Sequence, residues 1–186
     1  VGTSSEGTLQ TGTEGSIGNR FAPTGLYNGM QGPLAGYAIA GVMWYQGEAR
    51  ANSLKTEQYN YILNDLVEQW REDFRDEDLP VVIFQLAPYS DYYNLIRQVQ
   101  LDTAKRTDHV YAITTAYEGA VYSAASGGYC LDLDRSMSNG WGNGIHPGTK
   151  RPVAERAAYA ILVGEYGMTD KYATYLNPEY QSMTVA

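Results

Sequence analysis

A single cysteine, Cys130, in a chain of 186 residues leaves no internal disulfide to form. With no base beside it in the sequence, it is expected to be a small buried or half-exposed residue and not a nucleophile. Positive charge is scarce too: 13 Lys and Arg stand against 21 Asp and Glu, a formal net charge of −8. A nucleic-acid partner needs a basic surface for its phosphates and is therefore not expected. No apolar run approaches the ~18 residues of a membrane span. The first residues form no basic-then-apolar leader, so neither a membrane partner nor a signal peptide is expected. Only two histidines occur, His109 and His146, with no ligand spacing between them; His109 reads as a surface residue, and no metal or cofactor is implied. A Gly-rich phosphate loop between strand and helix is also missing, which argues against a nucleotide site.

What the chain has in quantity is tyrosine, 17 residues of it. An apolar ring with a polar tip suits half-buried surface positions, and equally the wall of a wet cleft where sugars stack. Length and an even composition argue for one domain. Residues 1–20 are Gly, Ser and Thr without periodicity, and are expected to be a flexible linker or loop. Residues 21–33 mix turn formers with Leu26, Tyr27 and Met30, which suggests a packed loop with a short helical turn. A strand follows at about 38–45, and its apolar run stops at Gln46-Gly47-Glu48. In open α/β sheets ligands bind beyond the carboxyl ends of the strands, so Gln46 and Glu48 stand where chemistry is done. Their plainer role would be a polar strand end that caps a neighbouring turn.

From Leu54 to Phe74 the apolar positions Tyr59, Ile62, Leu63, Leu66, Val67 and Trp70 fall at helical spacing, with Asn52 or Ser53 as the cap. Pro80 to Leu86 is a second buried strand opened by its proline. A helix at about 92–106 and a third strand, Val110 to Thr115, come next. An irregular, Gly-, Ser- and Tyr-rich stretch of about 117–148 leads to a final helix capped by Thr149, with Pro152 in its first turn, that runs to Gly167. The fold class is therefore α/β: half of a doubly wound three-layer α/β/α sandwich with a parallel sheet. No strand stands ahead of Phe21, and 175–185 resembles the entry into another, so the chain is expected to be an incomplete portion of a longer domain. On this division 1–20 is linker, 21–170 the domain portion and 171–186 a tail.

His146, at the end of the long loop, can act as a general base near neutral pH if it reaches the rim that carries Gln46 and Glu48. Taken alone, a loop histidine is more often a surface or structural residue. The blocks LYNGM (26–30), GVMWYQGEA (41–49), QYNYILNDLVEQWR, LPVVIFQLAPY (79–89), IRQVQ (96–100) and IHPGTKRPVAERAA (145–158) together resemble, in order and spacing, the sialate O-acetylesterase-like branch of the SGNH hydrolases.

That resemblance implies a flavodoxin-like SGNH fold and removal of acetyl esters from carbohydrates by a serine acyl-enzyme, with a histidine base and an acidic or amide orienter. It also implies an acetylated carbohydrate as partner and a secreted or periplasmic setting. His146 matches the catalytic histidine, and Gln46 the donor to the oxyanion of the tetrahedral intermediate. Glu48 matches an anchor or orienter of the imidazole, while Asn28, Trp44, Tyr45 and Arg97 fall in blocks that line the substrate. For Arg97 the plainer role is an exposed helix charge paired with a neighbour.

Two positions depart from the pattern. Asn143 stands where many such enzymes carry the Asp of D-x-x-H, and an amide orients an imidazole without stabilising its cation. Glu48 is the favoured source of that charge, with Asp132 and Asp134 as lesser candidates. The serine block and the G-G-T block are not found: Ser4, Ser5 and Ser16 lie in the Gly-rich start, where nothing holds them on a rigid turn. The serine is thus expected from an upstream segment of the same protein, and these residues alone should hydrolyse little. The alternative is a catalytically inactive carbohydrate-binding or structural module on an esterase-like scaffold.

Overall fold

Two hydrophobic periods, 2 and 3.6, build this domain. In the computed structural model residues 24–50, 53–87, 93–115, 121–123, 128–130, 150–172, 182 and 184 are described. Strand β1 (Val42–Trp44) leads through a short helical turn into helix α1 (Ser53–Phe74), then strand β2 (Val81–Phe84), helix α2 (Tyr93–Arg106) and strand β3 (Val110–Ile113). Strands β4 (Val121–Ser123) and β5 (Gly128–Cys130), helix α3 (Arg151–Gly164) and the short helix α4 (Thr169–Tyr172) complete it. The main sheet has the order β1-β2-β3, all parallel, with Val42 opposite Val81 and Val81 opposite Val110.

All four residues of β2 are buried, because a central parallel strand is covered on both faces. Val81 and Ile83 face α1 and α2, packing with Tyr59, Leu63, Val67, Trp70 and Ile96. Val82 and Phe84 face the other way, against Val153, Ala157 and Ala160 of α3. The architecture is therefore a three-layer α/β/α sandwich: both crossover helices on one face, α3 on the other. Helix α1 buries Thr56, Tyr59, Leu63, Val67 and Trp70, steps of three and four that keep one stripe inward. Ile62, on the expected apolar face, is 42% exposed.

The elements differ from sequence expectation mainly in length. Strand β1 is three residues and not eight, since residues 38–41 approach the sheet without pairing; a Cβ on Gly41 would come within 2.8 Å of the Pro80 carbonyl. The stretch taken as irregular contains an antiparallel ribbon, β4 with β5, which includes Cys130. Helix α3 begins at Arg151 after Lys150, with its proline in the first turn, and ends at Gly164. The expected cap Thr149 and the linker at 1–20 lie outside the described residues.

Two contacts at the amino edge of the sheet make measurable predictions. An ideal Cβ on Gly164 would overlap the ring and hydroxyl of Tyr111. Alanine for glycine inside a helix ordinarily gains about 1 kcal/mol, yet Gly164→Ala is expected to lose about 1–3 kcal/mol by overpacking. Urea unfolding of the variant gives the sign directly.

Next to this contact His109 sits at φ 58 ahead of β3, its Nδ1 3.0 Å from both carboxylate oxygens of Glu165 and its Nε2 3.7 Å from Asp78. The hydroxyl of Tyr111 donates to the same Glu165. His109 is thus more than a surface residue: it ties the end of α3 to the start of β3. The bond to Glu165 raises the imidazole pKa, against a smaller opposing effect of burial. A base whose pKa is raised in the folded state adds stability that is complete below its unfolded value near 6.5, and loses it as pH rises through the folded value. Melting temperature should therefore fall between pH 6 and pH 9, and His109→Gln should shrink that fall. Thermal melts of the two proteins across that interval check it.

Candidate active site

The chain leaves β1 through Tyr45, Gln46 and Gly47 at the carboxyl end of the sheet, and one peptide group there is held from both sides. The carbonyl of Gln46 accepts from the Tyr59 hydroxyl of α1 (2.8 Å) and from the Gln100 amide of α2 (3.1 Å). The N–H of Gly47 donates to Oε2 of Glu48 at 3.0 Å. Gly47 lies at φ 152, and a Cβ there would meet Ile96 at 2.9 Å, so only glycine fits this passage against α2. Gln100 is fully buried, and its other amide end accepts from the N–H of Leu86, which ties the exit of β2 to the exit of β1. Burial holds the Tyr59 hydroxyl above its ordinary pKa, which keeps it a donor.

Around this peptide stand the other rim residues. Trp44 turns inward: its indole donates to the Tyr59 hydroxyl at 3.3 Å and meets Trp70 edge-on at 5.3 Å. Tyr45 goes to the opposite face, 5.6 Å from the Phe84 ring, with the Lys150 ammonium 4.7 Å above it. Gln85, just past β2, donates to the Arg97 carbonyl at 2.9 Å. The Arg97 guanidinium bonds Asn94 through Nη2, while its buried Nη1 has no hydrogen-bond partner among the described residues. Burial lowers the Arg97 pKa.

Gln46, Glu48, Tyr45 and Arg97 are thus brought to the carboxyl side of the sheet. Asn28 is not. Its helical turn (Tyr27–Gln31) is fastened to Asp73 by Tyr27 (2.7 Å) and Gln31 (2.9 Å). Asp73 closes α1 at the amino edge, about 21 Å of helix beyond Tyr59. The substrate-binding roles expected of Asn28 and Trp44 gain no support from this geometry: Asn28 sits at the far edge, and Trp44 packs half-buried against the core. His146 and Asn143 lie outside the described residues, as do Asp132 and Asp134. Among the described residues no three His, Cys, Asp or Glu side chains cluster as metal ligands, and no helix is long and apolar enough to cross a membrane. The sequence did not single out Tyr59 and Gln100 for the site. Their signal was positional: Gln100 falls four residues after Ile96, on the buried stripe of α2.

A parallel α/β/α sandwich with polar side chains gathered at its carboxyl rim is the class of fold that binds ligands there. The chain belongs to a family of that class: the model of the carbohydrate esterase, sialic acid-specific acetylesterase family matches residues 19–121, more than half of the chain. Sialate O-acetylesterase of Homo sapiens is 45% identical over 49 residues, covering 26% of this chain and 9% of the human protein. Its Mus musculus counterpart is 30% identical over 161 residues, covering 77% of this chain and 27% of the mouse protein. The chain thus spans a minor part of each relative. A crystal structure of a carbohydrate acetylesterase from Xanthomonas citri superposes with a TM-score of 0.56 at 25% identity, over 74% of this chain and 28% of that one.

Proposed function

We propose that this chain forms the oxyanion and base side of a carbohydrate O-acetylesterase site of the SGNH kind, and that residues 21–170 are the C-terminal portion of its domain. The serine, supplied by another segment of the protein, attacks the acetyl carbonyl while His146 takes its proton. The Gln46 side-chain amide then donates to the oxyanion, a contribution of about 3 kcal/mol. Glu48 and Asn143 orient the imidazole, with Glu48 stabilising its positive charge; Tyr45 and Arg97 border the acetylated sugar.

The observation that carries this reading is the Gln46–Gly47 peptide, gripped at the carboxyl rim beside Glu48. Lys150 adds support. It lies four residues after His146 and stands over Tyr45 at that rim, and four residues of chain span at most about 14 Å. Among the described residues strand β1 has a strand partner on one side only, and Met43, on the face turned away from α1, is 64% exposed, so a further segment of the protein can cover that face. Asn143 and the unfound serine block favour a second reading, an inactive carbohydrate-binding module.

Hydrolysis of an acetylated sugar by the complete protein and by these 186 residues tests the proposal. Turnover is expected from the first and little from the second, and Gln46→Ala should lower kcat of the complete protein by about 10²- to 10³-fold. Turnover by the 186 residues alone would refute the need for another segment. Binding without turnover in the complete protein would support the inactive module.

A further inference from the structure

We propose that Gln100 and Tyr59 are positioning residues for the oxyanion donor: together they aim Gln46 by gripping its main-chain carbonyl. This rests on the reading of Gln46 given above. A carbonyl oxygen has two lone pairs, and here both are used by side chains drawn from two different helices, Tyr59 of α1 and Gln100 of α2. The direction of the first bond is fixed, because the Trp44 indole can only donate to the Tyr59 oxygen, which leaves the phenolic proton for Gln46.

Gln100 is fully buried and its two amide ends are both engaged, one by Gln46 and one by the N–H of Leu86. It therefore couples the exits of β1 and β2. On the other side of the same peptide plane the Gly47 N–H is held by Glu48, and Gly47 packs so close to Ile96 that a Cβ there would come within 2.9 Å of it. A peptide group held at carbonyl, N–H and flank cannot rotate, so the Cα of Gln46 and the root of its side chain are fixed before substrate arrives. Preorganisation of this kind is what separates a donor aimed at the transition state from one that must be ordered during the reaction.

The test is a set of double-mutant cycles in the complete protein, with kcat and KM read separately for an acetylated sugar. Tyr59→Phe and Gln100→Met should each lower kcat by about 10- to 100-fold with KM within about twofold, and each loss should vanish in a Gln46→Ala background. Losses that persist undiminished in that background, or that fall on KM alone, overturn the aiming role. Gln46→Ala with unchanged kcat instead sinks the oxyanion reading itself, and the aiming role with it. Amide exchange in the 186-residue chain provides a readout that needs no activity. Both variants should speed exchange at Gly47 by about tenfold or more while Val82 and Ile83 stay protected; unchanged exchange at Gly47 in both would overturn the proposal.

Discussion

Replacing His146 with alanine in the complete protein is expected to lower kcat for an acetylated sugar by about 10²- to 10⁴-fold, the range that a positioned general base contributes. KM should change little, because in this scheme the imidazole handles the serine proton and not the ground-state substrate. Glu48→Gln should lower kcat by a smaller factor, since the amide still orients a ring nitrogen but no longer stabilises the imidazolium. His109→Ala is the control. It sits at the amino edge of the sheet, bound to Glu165, and should leave kcat unchanged while lowering stability below pH 6.5. Steady-state kinetics of the three variants separate a histidine that does chemistry from one that only fastens the fold.

Ile83→Ala should destabilise the chain by about 2–5 kcal/mol, the usual cost of emptying a fully buried Ile site. Ile83 is 0% exposed at the centre of β2, paired in register with Trp44 on one side and Ala112 on the other. No neighbour can relax into the space without moving a strand that is held on both edges. A loss of that size is a large share of the ~5–15 kcal/mol that stabilises a typical domain. Ile62→Ala, on the exposed side of α1, should shift stability by less than about 0.5 kcal/mol. Urea midpoints of the two variants measure the contrast, and equal losses would mean that the sidedness of α1 is wrong.

The sequence exposes those features of the fold that depend on apolar periodicity. The run Val81 to Phe84, opened by Pro80, reads as a strand covered on both faces, and the spacing of Tyr59, Leu63, Val67 and Trp70 as an inward helix stripe, as the packing bears out. It placed Gln46 and Glu48 at a rim because an apolar run ended there in polar residues. It did not single out Gln100, since a glutamine carries no hydrophobic signal; its burial follows from two specific hydrogen bonds, one of them to a residue 54 positions away. The position of Asn28 at the amino edge has the same origin. Its neighbours Tyr27 and Gln31 are fixed by Asp73, more than 40 residues on, and no local pattern announces that pairing. Trp44 lies beside Gln46-Gly47-Glu48 in sequence, yet strand alternation and Trp70 turn its ring toward the core.

The proposed chemistry requires His146 to meet the Glu48 carboxylate, and proton NMR of the histidine ring N–H groups reads that contact. The chain has only two histidines, so two low-field imidazole N–H signals are expected, one from His109 bonded to Glu165 and one from His146 bonded to Glu48. Glu48→Gln should remove or strongly shift the second signal and leave the first in place. A His146 signal that is absent from the wild-type chain, or one that is indifferent to Glu48→Gln, would contradict the account.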